Sequence, residues 1–462
     1  MAIVEDSEQA SYSTYFDSLL ARGYDLSIAA PSAWKEEDDL FVHGERMYDH
    51  IVMLAPHLKK LPTGLEPQTL VEFLQKGGNM LVALSPQLTE AWRDFAREFG
   101  LDFGERGMKL VDHFGYDTAL DLGDHSAVRV GGNVKERGSL AAGGIVPNAA
   151  VFSDKTRMSE DSLLFRGIAH WVGPNPLAFP LLLPPLTAYQ SDVPKVTGEP
   201  SAFTASNINK LEALHDMTDL LTGADAHSED ATASLASAVQ LRDNSARAVF
   251  VGSLELFQND LYGDASRPLQ RSFVDDLTAW TFQESSVLRI ASNSHQRVRL
   301  HEHDVRPDYE EQDNVVSMYR IKDIVKYALT LEAFDGARWG PAPNDLDLQL
   351  SAIMLDPYVT EPLHAVSSNA NSTTYTTTLR LPDRHGVFTL RVNWKRPGWT
   401  YIRKDDVIPV RPFNHDEYPR MVSSSWPYIS GALSTMTAFV VFVALWFTLP
   451  VTKAPVTKTK KQ

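Results

Sequence analysis

The sequence of 462 residues contains no cysteine. This absence excludes disulfides, thiolate nucleophiles and cysteine-ligated metal sites together. No G-x-G-x-x-G and no G-K-[ST] segment occurs either, so the common glycine-rich phosphate loops are excluded as well. The opening residues, MAIVEDSEQ, lack a basic region followed by an apolar run, and they therefore predict no signal peptide.

Positive charge is also scarce. The net charge is −16, and the residues from 450 onward contribute four lysines and no acid, so the remainder carries about −20. A body this acidic repels nucleic acid, and we expect no nucleic-acid partner. The chain is too long for one compact core, which predicts two or three domains.

One long stretch without charge lies near the C-terminus, at 428–449. As a helix rising ~1.5 Å per residue, its 22 residues cover a hydrocarbon core of ~30 Å. Trp426, Tyr428 and Trp446 lie near its ends, where interfacial aromatic residues concentrate. A transmembrane helix is predicted, and a buried helix of a soluble domain is the weaker alternative because such helices seldom stay this apolar.

The charges beside this stretch predict its orientation. Residues 450–462 hold all four lysines of the tail, and the positive-inside tendency places such a tail in the cytoplasm. The acidic body then lies on the other side, as in a type I membrane protein. Two explanations of the absent signal peptide stay open: the sequence as given lacks its signal, or the protein is tail-anchored with its body in the cytosol.

Strand and helix patterns alternate through the first half of the chain. Buried strands are predicted at 48–55 and 79–85, and helices at 66–76 and 87–99. Such alternation with short loops predicts an α/β region with a doubly wound, mainly parallel sheet over 1–285, in one or two lobes. Residues 197–234 are polar and rich in Ser, Ala, Thr and Asp, which predicts a mobile insertion.

Beyond about residue 286 the hydrophobic period becomes two. Phe388, Leu390, Val392 and Trp394 alternate with polar neighbours, and proline-containing turns separate the runs. An antiparallel β-sandwich-like domain is predicted for 286–415.

Candidate catalytic and metal-binding residues are few. Ser85 and Ser253 follow strands but lack the G-x-S-x-G frame, so turn or N-cap roles are favoured over a membrane-anchored serine hydrolase. The Asp112-His113 dipeptide is only a weak acid/base candidate. One dense group of potential metal-ligating residues comprises His295, His301, Glu302, His303 and Asp304. Its spacing matches no zinc site, so the group is interpreted as a solvated interdomain linker, and neither a metal nor a cofactor is expected.

Three further patterns concern membrane biology. Asn371 begins the N-x-[ST] sequon of a Ser/Thr-rich loop and is a candidate glycosylation site. Ser430, Ser434 and Ala438 recur every four residues beside Gly431, which favours close packing of another helix over a lone anchor. Lys458 and Lys460 resemble a dilysine K-x-K-x-x retrieval signal of the endoplasmic reticulum, with a stop-transfer cluster as the alternative.

Nine ordered segments make the chain resemble one family, the non-catalytic 48 kDa-type beta subunit of oligosaccharyltransferase. They are YDHIVMLAP (48–56), FLQKGGNMLVALS (73–85), VDHFGYD (111–117), LLFRGIAHWVGPNPL (163–177), NSARAVFVGSLELF (244–257), WTFQESSVLRI (280–290), DLQLSAIMLDPYV (347–359), LPDRHGVFTLRVNWKRPGWT (381–400) and VRPFNHDEYPR (410–420).

The resemblance implies a type I protein of the endoplasmic reticulum membrane with a luminal body and a cytosolic tail at 450–462. Its α/β region would be glutamine-amidotransferase-like. It would be an accessory subunit of the complex that moves a glycan from dolichyl diphosphate to asparagine in N-x-[ST]. Its partners would be membrane lipid and other subunits, among them a multi-span catalytic one. Amidotransferase chemistry needs a cysteine, which is absent.

Overall fold

The computed structural model describes residues 1–5, 8–34, 39–58, 62, 64–131, 143–191, 232–298, 318–415, 417–418 and 423–449. The helices of these residues are α1 (Ser13–Ala21), α2 (Pro67–Gln75), α3 (Glu90–Arg97), α4 (Asp154–Arg157), α5 (Asn259–Tyr262), α6 (Pro268–Thr281) and α7 (Trp426–Thr448). Short 3-10 turns lie at Gln9–Tyr12, Pro31–Ala33, Glu255–Phe257 and Ser423–Ser425.

The strands of the N-terminal region run from β1 to β17. They are β1 (Ala2–Val4), β2 (Ile28–Ala29), β3 (Phe41–Val42), β4 (Glu45–Arg46), β5 (His50–Leu54), β6 (Asn79–Ala83), β7 (Leu101–Phe103), β8 (Lys109–Val111), β9 (Val128–Gly131), β10 (Gly144–Ile145), β11 (Ser162–Phe165), β12 (His170–Val172), β13 (Ala178–Leu183), β14 (Tyr189–Ser191), β15 (Thr232–Ser234), β16 (Ala236–Gln240) and β17 (Arg247–Val251).

Eight of these strands form the central sheet, in the order β10-β13-β16-β17-β6-β5-β1-β2. Within this sheet, β2, β1, β5, β6 and β17 pair in parallel. Strands β16, β13 and β10 continue the sheet in antiparallel pairing and form its other edge. The α/β class predicted for this region is therefore confirmed, and the predicted mainly parallel sheet also has an antiparallel edge. Four smaller groups pair apart from it: β11-β9, β15-β12-β7, β14-β8 and β3-β4.

Helices cover both faces of the central sheet, which explains the continuous apolar runs of β5 and β6. Val4, Leu54 and Leu81 point to a core shared with α1 and α6. Their chain neighbours belong to a second core, shared with α2 and α3. Because successive side chains of a strand alternate between faces, both cores draw on the same strands. Helix α2 ends before Gly77, whose φ of +89° suits a C-cap glycine.

The remaining strands form two five-stranded sheets around one core. One sheet has the order β18-β20-β25-β24, with β21 also paired to β20; the other has the order β19-β27-β26-β22-β23. The strands are β18 (Ser285–Val298), β19 (Tyr319–Arg320), β20 (Ile324–Asp335), β21 (Trp339–Pro341), β22 (Gln349–Met354), β23 (Asp356–Pro362), β24 (His364–Ser368), β25 (Thr373–Arg380), β26 (Gly386–Trp394) and β27 (Ile402–Arg411). Buried Leu329 and Tyr375 of one sheet share a core with Leu350 and Leu390 of the other.

Two details of the sequence interpretation were wrong. His295 belongs to strand β18 and bonds through Nδ1 to the Tyr319 hydroxyl at 2.7 Å, so it is part of the sandwich and not of a linker. The last residues of the predicted 197–234 insertion form β15, which pairs with β12. Residues 197–231, and the four ligand types at 301–304, lie outside the described residues.

Helix α7 has 23 residues, and none of them is buried against the rest of the chain. Among the described residues, the segment 423–448 is the one helix long and apolar enough to cross a membrane. This exposure argues against a core helix of a soluble domain, because such a helix buries at least one face.

Candidate functional site

The two serines considered as nucleophiles occupy structural positions. Ser253 is fully buried, and its hydroxyl donates to the Arg166 carbonyl at 2.5 Å. Ser85 accepts a hydrogen bond from the Gln87 backbone N–H at 3.3 Å, as a serine in a turn does. Neither arrangement activates a hydroxyl for attack, because activation needs a base within hydrogen-bond reach of the oxygen.

A histidine cluster lies beside the Asp112-His113 dipeptide. The Nδ1 atoms of His113 and His125 are 2.6 Å apart, and His113 Nε2 lies 2.5 Å from the Tyr189 hydroxyl. At this distance one ring nitrogen must donate and the other must accept. Burial, and then the charge of His125, lower the pKa of His113. The cluster therefore ties the 112–125 loop to β14.

Asp112 itself is fully buried and holds its own loop. It accepts hydrogen bonds from the Thr187 hydroxyl at 2.8 Å and from the Phe114 N–H at 2.9 Å. These are the bonds of a loop-fixing carboxylate. Among the described residues, no group of three or more His, Cys, Asp or Glu is placed to hold a metal ion.

A buried arginine joins the α/β domain to the sandwich. Arg247 of β17 is fully buried, and its guanidinium donates to carbonyls on both sides of the junction. Nη1 bonds Trp280 at 2.6 Å and Ser285 at 2.8 Å, while Nη2 bonds Ser286 at 2.8 Å and Gly398 at 3.4 Å. The guanidinium also lies 4.6 Å from the Trp280 ring centroid. Burial lowers the pKa of Arg247 to about 9, so the group remains charged at pH 7.

Neighbouring bonds reinforce this junction. Trp280 Nε1 donates to the Gly398 carbonyl at 2.7 Å. Gln240 bonds the 395–401 connection twice, donating to the Trp399 carbonyl at 2.7 Å and accepting from the Gly398 N–H at 2.9 Å. Because these bonds are buried and share partners, they hold the two domains in one arrangement, although Arg247 Nε has no hydrogen-bond partner among the described residues. Sequence reasoning missed this junction.

A second buried titratable group lies within the α/β domain. His170 is fully buried, its ring stacks on Phe103 with centroids 4.4 Å apart, and Nε2 lies 2.7 Å from the Ser237 hydroxyl. Burial lowers the pKa of His170 to about 3. Between about pH 3 and pH 6.5 the native state therefore keeps this imidazole neutral, whereas the unfolded chain binds a proton.

This difference predicts a pH-dependent stability. The contribution of His170 is fully present above the unfolded pKa of about 6.5 and is lost as the pH falls toward 3. Between pH 7.5 and 5.5 the loss is about 1.4 kcal/mol. The variant His170→Gln should have a shallower pH dependence of the unfolding free energy by that amount, measured by urea denaturation. His364→Gln, at an exposed site, is the control. An unchanged pH slope in His170→Gln would contradict the assignment.

The span presents its small residues outward with their hydroxyls satisfied. Ser430 donates to the Pro427 carbonyl at 2.9 Å, and Ser434 to the Gly431 carbonyl at 2.8 Å. Ser430, Ser434 and Ala438 follow one another at intervals of four on one exposed face, beside Gly431. A small-residue stripe that carries no unsatisfied donor can accept another helix at short range.

The other candidate residues lie away from this stripe. Asn371 is exposed in the loop between β24 and β25. Lys458 and Lys460 lie outside the described residues, so the dilysine interpretation stays a prediction.

In the part of the chain that the structure describes, fold and span together define a membrane protein with one crossing helix, an α/β domain and a β-sandwich. The family model described as "OST48, N-terminal domain" matches residues 1–284, and that of the "OST48 middle domain" matches residues 303–450. The chain belongs to the OST48 family.

Curated relatives match over nearly the whole chain. The Schizosaccharomyces pombe dolichyl-diphosphooligosaccharide–protein glycosyltransferase subunit wbp1 is 30% identical over 99% of this chain and 94% of its own length. The 48 kDa subunit of the same enzyme from Caenorhabditis elegans is 30% identical over 94% of this chain and 87% of its own. The Arabidopsis thaliana 48 kDa subunit is 28% identical over 96% and 91%.

Proposed function

We propose that the chain is a non-catalytic subunit of oligosaccharyltransferase, the enzyme that transfers a preassembled glycan from dolichyl diphosphate to asparagine in N-x-[ST]. The relatives named as subunits of this enzyme support the assignment over the full length of the chain. The burial of Ser253 and the turn role of Ser85 support a scaffolding part in it over a serine hydrolase.

The observation that carries the scaffolding role is the exposed small-residue stripe of α7. A helix that faces only lipid gains nothing from serine and glycine on one face, whereas a helix that packs closely on another needs them. The partner that fits is a membrane-spanning helix of the multi-span catalytic subunit. Lipid covers the rest of the span.

The charges around α7 support a type I orientation. The lysine tail lies in the cytosol, and the α/β domain, of the glutamine-amidotransferase-like type, and the sandwich lie in the lumen of the endoplasmic reticulum. Lys458 and Lys460 then serve as the retrieval signal. In this topology the exposed Asn371 is open to glycosylation, whereas a tail-anchored protein with a cytosolic body leaves it unmodified.

Immunodepletion tests the assignment directly. Antibody capture of the full chain from a mild-detergent membrane extract should remove most transfer of glycan from a lipid-linked donor to an N-x-[ST] peptide. The reason is that capturing a stably docked subunit also captures the catalytic subunit to which it is bound. The readout is glycopeptide formed by the supernatant and by the beads.

Ser85→Ala is the matched control, and its capture should bring down the same activity. Activity that stays wholly in the supernatant after complete capture would refute the subunit assignment. Activity lost in Ser85→Ala with the complex intact would favour the hydrolase instead.

A further inference from the structure

The chain leaves the sandwich for the membrane at one end of its sheets. Strand β27 ends at Arg411, which forms a salt bridge to Glu417 at 2.7 Å. Arg320, beside β27, lies 3.5 Å from the same carboxylate. The Glu417 side chain is only 1% exposed, and its pKa is lowered to about 2, first by the Arg411 hydrogen bond. The segment after β27 is thus held against this end of the sandwich.

The distance from this end to the bilayer is bounded by the chain. Trp426, the first residue of α7, comes about eight positions after Tyr418, and a fully extended chain of that length spans at most ~28 Å. Exposed Trp426 and Tyr428 mark the level at which aromatic residues prefer the membrane interface. This end of the sandwich is therefore the one tethered closest to the membrane, while the α/β domain contacts the opposite end through the 395–401 connection.

The tip of the β22–β23 hairpin lies at the same end of the sandwich. Strands β22 and β23 meet at Leu355, with Met354 paired to Asp356. The register places this tip next to the start of β26, because Ile353 pairs with Thr389 and the Met354 sulfur lies by Gly386. Gly386 in turn pairs with Val410 near the end of β27.

Leu355 carries two unfavourable features together. Its side chain is 100% exposed, and its φ of +69° is a backbone conformation that leucine rarely adopts. Glycine would remove both costs, and asparagine would reduce both. A strained residue that persists in this way is an indication of function. Val387, 60% exposed, extends the apolar surface beside it.

The charges around this tip suit phospholipid headgroups. Arg384 and His385 are exposed directly before Gly386, and Lys322 lies at the same end in a salt bridge with Asp383. Asp356 is the acidic residue of the turn itself. An apolar tip flanked by basic residues is the pattern of an interfacial membrane contact.

We propose that Leu355, with Val387, inserts into the headgroup region of the bilayer and braces the sandwich against the membrane. The occupant of this surface is lipid. The bracing fixes the body relative to α7, which a flexible tether alone would not do. This contact does not depend on the partner subunits, so its failure leaves the oligosaccharyltransferase assignment untouched.

The absence of cysteine makes a site-specific test available. Leu355→Cys in the full chain, labelled with an environment-sensitive fluorophore, is reconstituted alone into phosphatidylcholine nanodiscs with and without brominated acyl chains. We expect blue-shifted emission and a loss of intensity in the brominated discs. Val387→Cys should respond in the same direction. Ala370→Cys, in the loop at the opposite end of the sandwich, is the control and should remain water-like.

Two outcomes would overturn the proposal. Water-like emission from both the labelled Leu355→Cys and the labelled Val387→Cys chains, unaffected by bromine while far-UV circular dichroism is native, would show that the tip does not reach lipid. A blue shift seen only when co-purified subunits are present, without bromine quenching, would assign the surface to a protein partner.

Discussion

Replacing Arg247 with methionine should lower the free energy of unfolding by about 3–5 kcal/mol. The guanidinium is fully buried and donates to the carbonyls of Trp280, Ser285, Ser286 and Gly398. Methionine keeps much of the length of the side chain but leaves these acceptors buried without their donor. Urea denaturation followed by tryptophan fluorescence measures the loss, since Trp280 lies at the junction.

Two comparisons separate this effect from loss of a positive charge alone. Arg289→Met removes an arginine that lies over the Trp339 ring but is half exposed and bonded to Glu332. That variant should change stability by less than about 1 kcal/mol. Arg247→Lys keeps the charge but reaches fewer of the carbonyls, so its loss should be intermediate. Equal losses in Arg247→Met and Arg289→Met would contradict the role of the buried junction.

The junction also bears on function. The two ends of the sandwich carry different contacts. Arg247 holds one end, and the segment closed by the Arg411–Glu417 salt bridge holds the other. With the Leu355 tip seated in the headgroup region as proposed above, both ends of the sandwich are fixed, and the α/β domain keeps a set height and orientation above the bilayer. A scaffold subunit needs such rigidity to present a surface to its neighbours.

Much of this architecture could be predicted from short-range patterns. The apolar runs of β5 and β6, the glycine stop after α2, the period of two in β26 and the uncharged span all depend on residues close in sequence. These patterns reflect local periodicity and burial, which a single sequence displays.

The parts that escaped prediction depend on distant partners. Arg247 lies in an ordinary strand-like run, and its carbonyl acceptors are 33 to 151 residues away. His295 follows the polar pattern of a linker, yet its strand pairs with β20 over its whole length. Strand β15 comprises three residues of a polar stretch, and these residues are extended because they pair with β12. Pairing of this kind overrides local composition.

The span variant Ser430→Leu/Ser434→Leu should weaken association with the catalytic subunit by roughly thirtyfold. The small serine side chains allow another helix to approach closely, and leucine at either position obstructs that approach. Each substitution should cost about 1 kcal/mol of association free energy, and the two costs add. Neither serine leaves a new unsatisfied donor on replacement, because both hydroxyls donate within α7. The insertion of the span itself is unaffected, since leucine is more apolar than serine.

Capture of this variant from mild detergent tests most directly the claim that α7 docks the chain in oligosaccharyltransferase. The matched control is Val443→Leu, on the helix face opposite Ser434 at about 100° per residue. We expect the double variant to recover little catalytic subunit and little transfer activity, whereas Val443→Leu should recover both like the parent chain. Full recovery by the double variant would contradict docking through the small-residue stripe.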